Sequence, residues 1–282
     1  MSPSETQADE PPKPASLLKR ITPTRFDSWY REREIRENIR DGKPYFNGPS
    51  KIPEPNRYSP SRLLQCPRKT SYRELNAPRE QAEATGVLWF GTRFEEDIAL
   101  PFLPEAVTQS DTYVCNSLWV DFEVPTETGP LHIKGETDPV IVTDDGTPIL
   151  VTEIKTKSSV EHLTGPDRHH EAQVHAYMYG LSEKYDRRFT DAAIVYGSRE
   201  TLDLEVFHVE FDPVFWRRTA LSWAESHFEH RLRSDLPPPS PIFEWECKFC
   251  AYKHRCGEGD SEYDDVGPAG FLPLYRTRKR RS

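Results

Sequence analysis

The spacing of apolar positions changes along the chain, and each change marks an expected element. Phe26, Trp29, Tyr30 and Ile35 lie among charges from Thr24 to Arg40, the pattern of an amphipathic helix ending near Asp41-Gly42. Residues 43–57 carry four prolines and read as a linker. Ser59-Pro60 then opens a helix, serine as N-cap and proline at the first helical position, running through Leu63, Leu64, Cys66 and Tyr72. A further helical stretch covers Arg79 to Leu100. The pattern then becomes strand-like over Tyr113–Val124 and Leu131–Lys134. Val140–Val142 and Ile149–Ile154 flank Asp144-Asp145-Gly146-Thr147, a hairpin signal. Helical character returns over Pro166–Lys184, strands over Ala192–Tyr196 and Leu202–Phe211. Asp212-Pro213 caps a helix reaching Arg233, and Pro237-Pro238-Pro239 ends it. There is no internal repeat.

With 282 residues, the chain has room for one large domain or two small ones. Residues 1–56 read as a polar, proline-rich extension with one helix, and 1–16 as disordered. Residues 57–256 read as the folded domain, and 257–282 as a polar tail ending in Arg276-Thr277-Arg278-Lys279-Arg280-Arg281. Hydrophobic residues make up 35% and the mean hydropathy is −0.75, with no apolar run long enough to span a bilayer and no basic-then-apolar leader. This predicts a cytoplasmic protein with no membrane contact. The net charge of −9 argues against a chain that coats nucleic acid uniformly, but a local basic groove suffices to touch phosphates. Five cysteines, an odd number, favour a reducing compartment and metal or cluster ligation over disulfides.

The chemistry concentrates in Gly135-Glu136-Thr137-Asp138 and Glu153-Ile154-Lys155. Side chains alternate along a strand, so Glu153 and Lys155 share a face. If Asp145-Gly146 is a two-residue turn, Asp138 stands directly opposite Glu153, with Cβ atoms about 5 Å apart. Two carboxylates so placed repel unless a cation lies between them, which points to a divalent metal, with Lys155 beside a phosphate or an attacking water. Pro139 cannot donate to the ladder and implies an edge or bulge there. The bland alternative is a solvated surface hairpin. Val140, Val142, Ile149 and Val151 on the acids' face, with Ile141, Leu150 and Ile154 on the other, count against it, because strands apolar on both faces are buried.

In this order, Asp138…Glu153-x-Lys155 resembles the signature of the PD-(D/E)XK nucleases. Gln173-Val174-His175-Ala176-Tyr177 is similar to the Gln-x-x-x-Tyr helix of their RecB-like branch, and a spacing of four puts Gln173 and Tyr177 on one helix face. Gly91-Thr92-Arg93-Phe94-Glu95 occupies the place of a Gly-x-x-x-His motif whose histidine binds metal in that branch. Here the position holds Glu95, with Glu96 or Asp97 as alternatives if the alignment slips. The resemblance implies an α/β fold with a mixed central sheet flanked by helices. It implies Mg²⁺ or Mn²⁺ on Asp138, Glu153 and Glu95, with catalytic roles for Lys155, Gln173 and Tyr177.

Cys66, followed far downstream by Cys247, Cys250 and Cys256, gives four cysteines that suit either zinc or a [4Fe–4S] cluster. One cysteine before the nuclease core and three after it resembles the iron–sulfur nucleases, the small CRISPR-associated exonuclease family above all. In that family the cluster staples the terminal segments together. The likeness implies DNA cleavage from single-stranded ends, an integrase as partner and a place in CRISPR spacer capture. A repair nuclease of the same branch and a cleavage-dead DNA-binding cluster protein are the alternatives. Arg68, Lys69, Lys248, Lys253 and Arg255 flank the cysteines and are expected to form a DNA-guiding basic patch. Tyr177 and Tyr179 suit either base stacking or core packing. His169 and His170 precede the Gln173 helix and could approach the site, with solvated helix positions the favoured account; His254 is expected to be exposed, and Cys115 to be a small buried hydrophobe.

Overall fold

A computed structural model of the chain describes residues 19–20, 22–40, 51–79, 85–107, 111–243, 246–247 and 250–256. The expectations for residues 1–16, Lys248 and the basic tail lie outside these residues. The chain divides into two units, 1–50 and 51–282. The first carries helix α1 (Pro23–Arg40). Its ring contacts Phe26–Trp29 (6.0 Å) and Phe26–Tyr30 (6.1 Å) and its Arg33–Glu37 pair (2.7 Å) follow helical spacing.

The second unit begins with the short strand β1 (Arg57–Tyr58) and a 3₁₀ turn, Pro60–Arg62. The helix expected to run unbroken from Ser59 to Tyr72 is interrupted. Leu64 takes φ 60°, and α2 (Pro67–Glu74) starts afresh with Cys66 as its N-cap. Pro67 disfavours helical backbone at Cys66 and is itself accommodated in a first turn. Next come α3 (Thr85–Phe94), a π-helical turn (Glu95–Ala99) and α4 (Leu100–Val107) in direct succession, passing the expected end at Leu100.

The span expected as one strand, Tyr113–Val124, is two: β2 (Thr112–Cys115) and β3 (Trp119–Val124). They belong to different sheets, so a second, smaller sheet accompanies the mixed one expected. With β4 (Leu131–Glu136), β1 and β3 form a three-stranded sheet ordered β1-β4-β3. The other sheet has five strands. It combines β2, β5 (Val140–Thr143), β6 (Pro148–Lys157), β7 (Asp191–Ser198) and β8 (Leu204–Glu210), in the order β2-β5-β6-β7-β8. It is mixed: β6 and β7 run parallel, the other pairs antiparallel.

Helix α5 (Arg168–Tyr185) makes the crossover between the parallel strands. It packs on β3 of one sheet and on β6 and β7 of the other. A helix covered by two sheets must be apolar nearly all round, and Ala172, Val174, Ala176, Tyr177, Met178 and Leu181 are all buried. Where it crosses β3, a Cβ on Gly180 would overlap Phe122 and Val120, so only glycine permits this approach. The chain continues through α6 (Pro213–Phe215), capped by the Asp212 carboxylate on Val214 N–H at 2.7 Å, and a π-helical turn (Trp216–Leu221) into α7 (Ser222–Arg233). The short α8 (Lys253–Cys256) follows.

A second small core joins the two ends of this unit. Tyr72, Leu75 and Ala77 pack with Tyr252, and the Tyr72 and Tyr252 rings stand 5.3 Å apart. Arg231 pairs with Glu74 out of solvent and donates to the Pro53 carbonyl at 3.0 Å.

Candidate active site

The hairpin differs from expectation in its turn, and its ladder keeps the expected register over Val140 and Ile141 but does not extend to Asp138 and Glu153. Thr143 N–H donates to the Thr147 carbonyl (2.9 Å), so Asp144-Asp145-Gly146 form a longer loop than two residues. An irregularity between Ile141 and Val142 absorbs the extra residue, and Val140 pairs with Val151 as the shorter turn predicts. β5 starts only at Val140, after Pro139, and the Pro139 carbonyl accepts from Thr152 N–H (3.0 Å). Asp138 is therefore free of the ladder. Its carboxylate turns to accept the Ile154 N–H at 2.8 Å. Both faces of the pair are buried over Val140, Ile141, Val151 and Ile154, whereas Ile149, at 44%, is exposed.

Glu153 is fully buried. Lys155 pairs with one of its oxygens, Oε1, and lies 3.9 Å from Asp138 Oδ2. The other oxygen, Oε2, is buried with no hydrogen-bond partner. Burial, reinforced by the nearby Asp138 and Glu95 carboxylates, pushes the Glu153 carboxyl up to about 8 despite the Lys155 ammonium. Glu95 is raised for the same reasons, burial first and Asp138 second. Burial works against the Lys155 ammonium, but Glu153, Asp138 and Glu95 together outweigh it and raise Lys155. Asp138 thus acts on both Glu95 and Glu153. Three coupled carboxylates, one with an unsatisfied buried oxygen, suit a hard divalent cation.

Glu95 reaches this position because α3 continues into a π-helical turn beside β6 and β7. Phe94 is buried at 1% exposure between the helix and Gly197 of β7, where any Cβ would overlap its ring. Gln173 and Tyr177 are brought together, Nε2 donating to the hydroxyl at 2.9 Å. The Tyr177 hydroxyl in turn donates to the Glu136 carbonyl at 2.8 Å, two residues before Asp138. Burial, with Glu153 close by, raises Tyr177 well above the ordinary tyrosine range, so the hydroxyl remains a donor. Tyr179 packs against Phe122, Phe211 and Trp216.

The four cysteines line one pocket. Cys66 is buried and Cys247, Cys250 and Cys256 are half-buried. Burial raises the Cys250 thiol, and Cys66 and Cys256 add to the effect. Four cysteines on one pocket are the residue type that a cluster or a zinc ion needs. Of the expected basic patch, Lys69 and Lys253 line this pocket. Arg68 donates to the carbonyls of Pro237 (2.8 Å) and Cys256 (3.0 Å), and Lys69 pairs with Glu246 at 2.8 Å. Both thus bind the cysteine-bearing segments to each other. The carbonyl of Arg255 accepts from the Tyr72 hydroxyl at 3.1 Å.

Three expectations need correction. His169 and His170 are not solvated: His170 is buried and His169 half-buried in the first turn of α5. Cys115 is half-buried, its thiol donating to the Ser117 carbonyl at 3.3 Å. His254 is exposed, as expected. Lys157, Asp167 and Tyr196, which bond to one another or to His170, were not singled out. The one signal in the sequence was the alternation that carries Glu153 and Lys155 on to Lys157.

A family model described as the PD-(D/E)XK nuclease superfamily matches residues 53–257. The chain belongs to the PD-(D/E)XK nuclease superfamily. PD-(D/E)XK proteins are nucleases that act on nucleic acid with divalent metals such as Mg²⁺ or Mn²⁺. Among solved structures, "Crystal structure of SSO0001" aligns with a TM-score of 0.53 at 20% identity, covering 84% of this chain and 100% of that one, a likeness of fold. The crystal structure of Scheffersomyces stipitis Rai1 aligns at 18% identity over 41% of this chain and 32% of that one, with a TM-score of 0.23. No curated protein sequence matches the chain. Among the described residues, no helix of this PD-(D/E)XK protein is long and apolar enough to cross a membrane.

Proposed function

We propose that the protein is a metal-dependent deoxyribonuclease that degrades DNA from single-stranded ends. The observation that carries this reading is Glu153: fully buried, one oxygen on Lys155, the other unpartnered, and Asp138 beside them. Asp138, Glu153 and Glu95 would hold Mg²⁺ or Mn²⁺, which supplies Lewis acidity and a nucleophilic water. Lys155 orients that water or meets the charge growing on the phosphate. Gln173 holds the Tyr177 hydroxyl, which donates to the Glu136 carbonyl and so fixes the backbone that presents Asp138. Cys66, Cys247, Cys250 and Cys256 would hold a [4Fe–4S] cluster, with zinc the alternative, and the basic residues around them guide the strand. Capture of DNA fragments as CRISPR spacers with an integrase is the cellular role we attach to this chemistry, by analogy alone.

The test is cleavage of end-labelled single-stranded DNA with Mg²⁺ or Mn²⁺ by anaerobically purified protein, beside Glu153→Ala and Lys155→Ala. Degradation that needs metal and is lost in both variants is the expected result. An intact, cluster-loaded wild type that cuts nothing would leave a DNA-binding protein in its place. Absorption near about 400 nm distinguishes iron–sulfur from colourless zinc.

A further inference from the structure

We propose a second metal site, independent of the nuclease acids, formed by Asp167, His169 and His170 and taking a divalent transition ion. One ligand atom from each residue lies within 4.8 Å of the other two. Asp167 is the residue before α5, and the two histidines occupy its first turn, their rings 3.9 Å apart. Two imidazoles and one carboxylate are a donor set that suits Mn²⁺, Fe²⁺ or Zn²⁺.

A second observation points the same way. His169 Nδ1 is buried and has no hydrogen-bond partner, so one nitrogen of this group of residues lacks what it would normally have. The His170 ring is already oriented, its Nδ1 2.8 Å from the Tyr196 hydroxyl. Burial lowers both imidazoles, which keeps them neutral and able to ligate.

The cluster also contains a stand-in cation. Lys157 Nζ lies 2.8 Å from Asp167 Oδ2 and 5.0 Å from the centre of the Tyr196 ring. An ion entering the site takes over Asp167 from this ammonium.

The test measures Mn²⁺ alone, by the loss of its free-ion paramagnetic resonance signal, on full-length Asp138→Ala/Glu153→Ala protein. That background removes the acid site, so the result does not depend on the nuclease reading, and Mn²⁺ has little liking for thiolates. We expect one ion per chain. Adding His169→Ala should weaken binding by about tenfold or more, as should His170→Gln, while Lys157→Met should tighten it. Melting curves check that each variant is folded. Undiminished binding without both imidazoles overturns the proposal, as does the absence of binding even in the Lys157→Met protein.

Discussion

Glu153 makes the site sensitive to pH in a direction its burial fixes. Its carboxyl is raised from 4.5 to about 8, so the protonated form is the one the folded, metal-free protein favours. That contribution to stability is fully present below the unfolded value and is lost as pH rises through the folded one. The metal-free melting temperature should therefore fall between about pH 5 and pH 8 through this group, and flatten in Glu153→Gln. Binding of Mg²⁺ below the raised value must expel the proton, so titration calorimetry in buffers of different ionisation heat should show proton release. Tyr177→Phe removes the donor to the Glu136 carbonyl, at a cost of about 0.5–1.5 kcal/mol for the lost hydrogen bond. If the hydroxyl positions Asp138, metal affinity falls with it, whereas a purely structural role would lower only the melting temperature.

At the scale of elements, the acid cluster depends on how closely α3 approaches β7. Gly197→Ala would drive a methyl group into the Phe94 ring, and Phe94 precedes Glu95 in the chain. Overpacking of this kind costs about 1–3 kcal/mol, so thermal melting should show a drop of several degrees and cleavage should weaken. Much of this level was legible: α5 from its apolar run, β7 and β8 from their alternation, α6 from Asp212-Pro213. The break between the 3₁₀ turn and α2 was also written in Cys66-Pro67, although the apolar spacing of Leu63, Leu64 and Tyr72 spoke for one helix. The assignment of β2 and β3 to different sheets was not legible, because one β-rich run looks alike whether or not its strands part company.

For the second unit as a whole, the cysteine pocket and the small core around Tyr72 and Tyr252 tie the chain's early and late segments together. Cys250→Ala should then lower the melting temperature of the entire unit, by about 10 °C if a bound metal or cluster is lost with it. A soluble variant with unchanged melting would show that the four cysteines do not hold one group. Arg68 and Lys69 share in this tie, through the Pro237 and Cys256 carbonyls and Glu246, so substituting them should affect stability as well as DNA affinity.

The sequence by itself determined the nuclease signature, the order of the main elements and the four cysteines, because periodicity and spacing are local properties that survive without a fold. Only the tertiary structure decided which carboxylate oxygen is left without a partner, that Tyr177 reaches the Glu136 carbonyl, and that His169 and His170 sit buried beside Asp167. Those outcomes depend on burial and on the meeting of residues far apart in the chain. Desolvation by α5 and the two sheets, rather than residue type, separates a solvated acid from Glu153.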